Sequence, residues 1–165
     1  MTRALILLAI LGALGAFDTL FYHEWMLRLP SRPTARRELA LHGSRDLAYT
    51  LLFGTIGWVS WNGGLAWLFI ALLAVEIGIT LWDFIEEDRT RTLPPGERAM
   101  HAVMGIVYGA FLAHVWPEVA QWMRLPTGFT RADHGLLTWL LSAMAAGVFL
   151  SGLRDLASSR GLARE

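Results

Sequence analysis

Histidine and carboxylate side chains recur in this chain at spacings that place them on shared helical faces. His42 precedes Asp46 by four residues and Glu97 precedes His101 by four, so each pair lies one turn apart on a helix. In the stretch Glu76-Ile-Gly-Ile-Thr-Leu-Trp-Asp83-Phe-Ile-Glu-Glu87, the residues Thr80, Asp83 and Glu87 follow Glu76 at offsets of four, seven and eleven. They form one polar stripe on an apolar cylinder. Asp18, Tyr22 and Trp25 form a similar stripe, with His23 and Glu24 expected to point elsewhere or to emerge at the membrane interface. Imidazoles mixed with carboxylates, in a chain without cysteine, are ligands for iron, manganese or zinc rather than for copper(I) or an iron–sulfur cluster. The lack of cysteine also excludes disulfides and thiolate nucleophiles.

The elements that must position these residues are long and apolar. Hydrophobic residues make up 55 % of the 165, and the mean hydropathy is positive. Five apolar segments stand out: Ala4 to Tyr22, Leu47 to Trp61, Leu65 to Ile85, Ala102 to Val119, and Gly135 to Leu153. The pattern predicts an all-α fold, a multi-pass transmembrane bundle of about five helices in one domain over residues 1–156. The second segment spans only if its interfacial ends count, and Pro117 is expected to mark the exit of the fourth. The first segment shows no convincing cleavage site and reads as a retained helix. Residues 157–165 read as a flexible tail. A segment at about 31–45, behind Pro30 and Pro33, reads as an amphipathic stretch on the membrane surface, its arginines facing anionic head groups. Asn62-Gly63-Gly64 predicts a tight turn. Gly105-x3-Gly109-x3-Ala113 and Ala143-x3-Gly147-x3-Ser151 predict close helix packing. The loop from Pro117 to His134 is expected to be anchored at the interface by Trp116 and Trp122.

Every basic side chain is an arginine. With the first loop placed in the cytoplasm, that side holds eleven arginines against three, which predicts N-terminus out and C-terminus in, in a bacterial inner membrane. Asp18, His42, Asp46, Asp83 and His101 then gather at the cytoplasmic ends of four helices, with Glu76 near mid-membrane. A carboxylate at that depth costs roughly 2.5–3.5 kcal/mol on insertion scales, so it must face a partner inside the protein. The expected ligand set is Asp18, His42, Asp46, Glu76, Asp83 and His101, with Glu24, Glu87 and His23 in a second rank. Tyr49 and Tyr108 are expected to take part in catalysis, orienting ligands or relaying an electron. In architecture this is similar to di-iron carboxylate bundles, although the Glu-x-x-His motif of those proteins is missing.

The function expected on these grounds is that of a membrane-embedded metalloenzyme. It would hold a di-iron or other di-metal site at the cytoplasmic leaflet and oxidise a lipid or other hydrophobic substrate with oxygen, served by a redox partner. Manganese is an alternative metal, and zinc in the same residues would make a hydrolase. A second reading is a proton- or cation-coupled transporter module using Glu76, Asp18 and Asp83, with a homo-oligomer supplying the missing half. A b-type haem held by His42 and His101 is a third, disfavoured by the surrounding carboxylates. The last is a structural subunit in which acids only pair with arginines: Asp46 with Arg45 or Arg37, Asp83 with Arg98, Asp155 with Arg154. Beyond membrane lipids and a hydrophobic small molecule, the chain carries no nucleic-acid signature, nucleotide-binding loop or nucleophile elbow.

Overall fold

The computed structural model describes residues 1–162. Helix α1 (Thr2–Phe17) continues without a break as a π-helix (Asp18–Met26). Two 3-10 turns, Leu29–Ser31 and Pro33–Ala35, lead into α2 (Arg36–Ile56). A short strand β1 (Val59–Asn62) precedes α3 (Gly64–Thr90), which is followed by α4 (Pro95–Trp122), a second strand β2 (Gly128–Arg131) and α5 (Leu136–Gly161).

Four helical segments are long and apolar enough to cross a membrane: Thr2–Met26, Gly64–Thr90, Pro95–Trp122 and Leu136–Gly161. Helix α3, with 27 residues, is about 40 Å long at the α-helical rise. Helix α2 is not among the four. The expected surface segment and the expected second span are one continuous helix, and its first half carries Arg36, Arg37, Glu38, Arg45 and Asp46. Large apolar side chains lie exposed on the outside of the bundle, among them Leu20, Trp67, Leu81, Trp82, Ile106 and Trp139, as in a protein whose surface meets lipid.

The core is built from every long helix: Leu5 and Leu8 of α1, Phe53 and Ile56 of α2, Phe69 of α3, Phe111 and Val115 of α4, and Leu141 of α5. Helix α2 packs chiefly on α5, and α1 on α4. Small residues do permit a close crossing, but not at the expected stripes. A Cβ at Gly43 would lie 2.8 Å from the Gly152 carbonyl, and one at Gly152 would lie 2.8 Å from Asp46 Cβ, so α2 and α5 touch backbone to backbone there. Gly105, Gly109 and Gly147 meet nothing within 4 Å; Gly105 and Gly147 instead leave space in an internal cavity.

One end of the bundle is closed by a two-stranded antiparallel ribbon, with Trp61 opposite Phe129 and Asn62 opposite Gly128. The expected Asn62-Gly63-Gly64 turn follows a strand rather than joining two helices directly. Gly63 takes φ +58° and ψ −125°, and a Cβ there would lie 2.7 Å from the Thr127 backbone, so only glycine fits. Helix α4 does not end at Pro117. It loses one backbone hydrogen bond there but runs on to Trp122, because Phe111, Val115, Val119 and Trp122 lie on one buried face. Trp122 is accordingly a core residue, edge-on to Phe69 with ring centroids 5.4 Å apart, and not an interface anchor; Trp116 is exposed. Helix α5 continues to Gly161, and the Ser159 hydroxyl donates to the Arg36 carbonyl at 2.9 Å. Residues 157–161 of the expected tail are therefore helical, and residues 163–165 lie outside the described residues.

Candidate metal centre

The opposite end gathers the ionisable residues. It is formed by the π-helix, the start of α2, the end of α3, the start of α4 and the end of α5. The π-helix changes which residues align: Leu27 N–H donates to the Tyr22 carbonyl, an i to i−5 bond, at 2.8 Å. With five residues between successive bonded positions, Asp18 and His23 fall above one another, and both turn inward and are buried. α-Helical spacing sends His23 elsewhere, which is why the sequence reading held it in the second rank.

His23 stacks on His42 of α2, ring centroids 4.6 Å apart and nearly parallel. His23 Nε2 lies 3.4 Å from Asp18 Oδ2 and 3.3 Å from Glu97 Oε1. His42 Nε2 lies 3.0 Å from Asp83 Oδ2 and 3.8 Å from Glu87 Oε1. His101 Nε2 lies 3.3 Å from Asp18 Oδ2, and its Nδ1 is 3.5 Å from Glu87 Oε2. Glu87 thus turns one oxygen toward His42 and the other toward His101. Two groups of potential ligands result, His23–Glu87–Glu97–His101 and His23–Glu38–His42–Glu87, each with ligand atoms within 4.8 Å of one another. Atoms sharing one ion at metal–ligand bonds of about 2.0–2.2 Å are at most about 4.4 Å apart, so little movement separates this geometry from a coordinated one.

Two arginines are interleaved with these acids. Arg45 Nη1 donates to Asp83 Oδ2 at 2.8 Å. Arg91, just past the end of α3, donates to Glu38 at 2.8 Å, Glu97 at 2.7 Å and Glu87 at 3.3 Å. Burial works against its charge, but the hydrogen bonds to Glu97 and Glu38 outweigh that and raise its pKa further, so it stays cationic at any working pH. Five buried carboxylates (Asp18, Glu38, Asp83, Glu87, Glu97) therefore face Arg45 and Arg91, and a sixth, Asp155, held by Arg154, lies 4.0 Å from His42 Nδ1, so acids outnumber arginines around the three histidines. Bound cations would offset such an excess of acids over arginines. Asp18 Oδ1, His23 Nε2, His42 Nε2, Asp83 Oδ1 and Glu87 Oε2 are buried without a well-aligned hydrogen bond. So many orphaned donors of metal-ligand type in one place fit a cation site better than a finished ion-pair network.

The remaining candidates lie elsewhere. Glu76 is the thirteenth of the 27 residues of α3, away from the cluster. It lines a cavity of about 670 Å³ together with Asp46, Tyr49 and Tyr108; none of the four belongs to either ligand group, although Asp46 stands one turn beyond His42 on α2. Glu24 pairs with Arg154 at 2.9 Å, and Arg154 also holds Asp155 at 2.7 Å, as the ion-pair reading of that pair expects. Asp83 pairs with Arg45 rather than Arg98. The sequence reading missed Glu38 and gave Glu97 no ligand role. Glu97 carried a signal, being one turn before His101; Glu38 carried none, since a lone acid among arginines reads as a solvated charge.

The cluster borders on open space at its inner and its polar side. Asp18 and His101 form part of the wall of the large cavity. On the polar end a cleft of about 160 Å³ is lined by Phe84, Glu87, Asp88, Leu93, Arg98 and His101. No protein-family model, curated protein or solved structure matches this chain.

Proposed function

We propose that this chain is an integral membrane metalloenzyme whose buried histidine–carboxylate cluster holds two metal ions and acts on a hydrophobic molecule bound in the adjoining cavity. The observation that carries the reading is Glu87, whose two oxygens face two different histidines and which belongs to both ligand groups. A carboxylate so placed would be able to hold two ions at once. Its partners are Glu97 and His101 on one side and Glu38 and His42 on the other, with His23 between them. Asp18 faces His101 Nε2, the ring nitrogen opposite the one turned to Glu87, and would fix that ring as outer carboxylates do in metal sites; Asp83 lies 3.0 Å from His42 Nε2, the same nitrogen that faces Glu87.

Oxygen and nitrogen donors without thiolate favour iron or manganese, with zinc as the hydrolytic alternative. Metal bound there supplies oxygen activation or Lewis acidity; the protein supplies the rest. Asp18 and His101, at the boundary between cluster and cavity, present the site to the ligand. The apolar cavity wall excludes water from the reaction. The polar cleft beside Glu87 and His101 gives ions a path from solvent. By the arginine distribution that side is the cytoplasmic one, and the membrane a bacterial inner membrane. The cavity position of both Glu76 and Asp18 favours a second reading, a proton or cation path.

Elemental analysis of the chain purified in detergent without chelators, beside Glu87→Ala, tests the proposal. About two equivalents of iron or manganese in the wild type, and much less in the variant, is the expected result. Zinc in the same ratio redirects the chemistry to hydrolysis. A folded wild-type protein that takes up no metal, even when offered iron, manganese and zinc, overturns the enzyme reading and leaves the proton path.

A further inference from the structure

The large cavity carries a polar centre of its own, distinct from the histidine cluster. Glu76 is 2 % exposed; its Oε1 accepts from the Thr80 hydroxyl at 2.8 Å, and its Oε2 has no partner. The Tyr108 hydroxyl is likewise buried without a partner. Tyr49 stands edge-on to Tyr108 with ring centroids 6.5 Å apart, and to Phe53 at 5.7 Å in a tilted pair. Glu76, Tyr49, Tyr108 and Phe53 all line the cavity.

The charge of the wall is one-sided. Its basic groups are already engaged, Arg45 by Asp83, Arg154 by Glu24 and Asp155, and His101 by Asp18 and Glu87. Glu76 and Asp46 have no basic partner within 4.0 Å among the described residues. What remains is a buried carboxylate with a free oxygen, beside three aromatic rings, in an apolar chamber. The chamber is within the range of small-molecule sites, about 300–1,000 Å³. Leu20, Leu81 and Leu150 belong both to its wall and to the outer apolar surface, 65 %, 57 % and 66 % exposed, so it opens sideways toward lipid.

We propose that this cavity binds an amphiphile with an ammonium group on a hydrophobic body, Glu76 being the counter-ion. A cation satisfies the carboxylate that burial in hydrocarbon leaves costly. The rings of Tyr49, Tyr108 and Phe53 line the same wall and would attract an ammonium through their quadrupoles, and the two phenol hydroxyls, which approach Glu76, place further oxygens beside it. An anionic amphiphile, by contrast, meets Glu76 and Asp46 with no free arginine. Binding needs no metal; only the further step of calling this ligand the substrate rests on the function proposed above.

The test is calorimetric titration of the full chain in lipid nanodiscs at neutral pH with octylamine, octan-1-ol and octanoate, empty discs being subtracted. Octylamine is expected to bind about tenfold or more tighter than octanol, with octanoate weakest. Glu76→Gln, which keeps the shape and an acceptor for Thr80, is expected to abolish the amine preference while leaving octanol binding and metal content unchanged. Amine binding undiminished in Glu76→Gln, or octanoate binding as tightly as the amine, overturns the proposal. If Glu76→Gln does not fold, the Tyr49→Phe, Tyr108→Phe double variant takes its place and must weaken octylamine more than octanol; equal weakening overturns the proposal. Unchanged metal content separates failure here from failure of the metal reading.

Discussion

The two ends of the bundle handle polar groups in opposite ways. At the ribbon end most polar side chains are answered by a neighbour, the exceptions being Trp61 Nε1 and Asn62 Oδ1, which are buried without one. Asn62 Nδ2 donates to Thr130 at 2.7 Å, Trp58 Nε1 to Ser142 at 2.8 Å, and the Thr138 hydroxyl to the Gly57 carbonyl at 3.0 Å. Gly63 N–H and Ala132 N–H reach backbone carbonyls at 2.8 and 2.7 Å, and Trp61, Phe69 and Trp122 pack beneath. At the other end five buried carboxylates and three histidines crowd together, and several of their atoms remain without an aligned partner. Buried polar groups left without partners cost stability unless something meets them, so their crowding marks the cluster end as the candidate site, while the ribbon end serves mainly to close the fold.

The largest expected effect is on metal content. His42→Ala and His101→Ala stand in different ligand groups, so each should retain about one of two equivalents, with helicity unchanged by circular dichroism. Loss of both ions from either variant would reduce the two groups to one.

Arg91→Gln comes next. It removes the cation shared by Glu38, Glu87 and Glu97, and without metal it should cost about 3–5 kcal/mol. Added metal should restore more stability to this variant than to wild type, since the ions replace the lost charge. Thermal unfolding with and without metal reads this directly. An equal shift in both proteins marks the cluster as an ion-pair network like any other.

The ribbon end should respond differently. Gly63→Ala forces a side chain into a glycine-only conformation against Thr127 and should destabilise by about 1–3 kcal/mol, with metal content intact. Asn62→Ala removes one hydrogen bond across the ribbon and should cost about 1 kcal/mol. A loss of metal in either variant would break the division between the two ends.

Much of the architecture was legible in the chain. Apolar runs of spanning length, interrupted by glycine and proline, mark the long helices, because burial in lipid imposes a length that sequence displays. The membrane character follows from that alone, but not the number of spans: about five were expected, and among the described residues four helical segments are long and apolar enough to cross, α2 not being one of them. The charged first half of α2 was also visible, yet up to about residue 45 it read as a surface segment, since nothing local says that Glu38 turns inward against partners on α3, α4 and the π-helix.

The meeting of Asp18, His42, Asp83 and His101 at one end follows from spacing and from the alternation of helix directions, both local properties of the chain. The tertiary structure alone decided the rest. The π-helical turn brings His23 over Asp18, because its hydrogen-bond period differs from the α-helical one used to read faces. Arg91 is drawn among three acids from three helices, and Glu76 is set apart from the cluster with Tyr49 and Tyr108 on a cavity wall. Periodicity tells which residues share a face of one helix; which faces meet depends on packing between helices distant in sequence, such as the contact of Gly43 with Gly152.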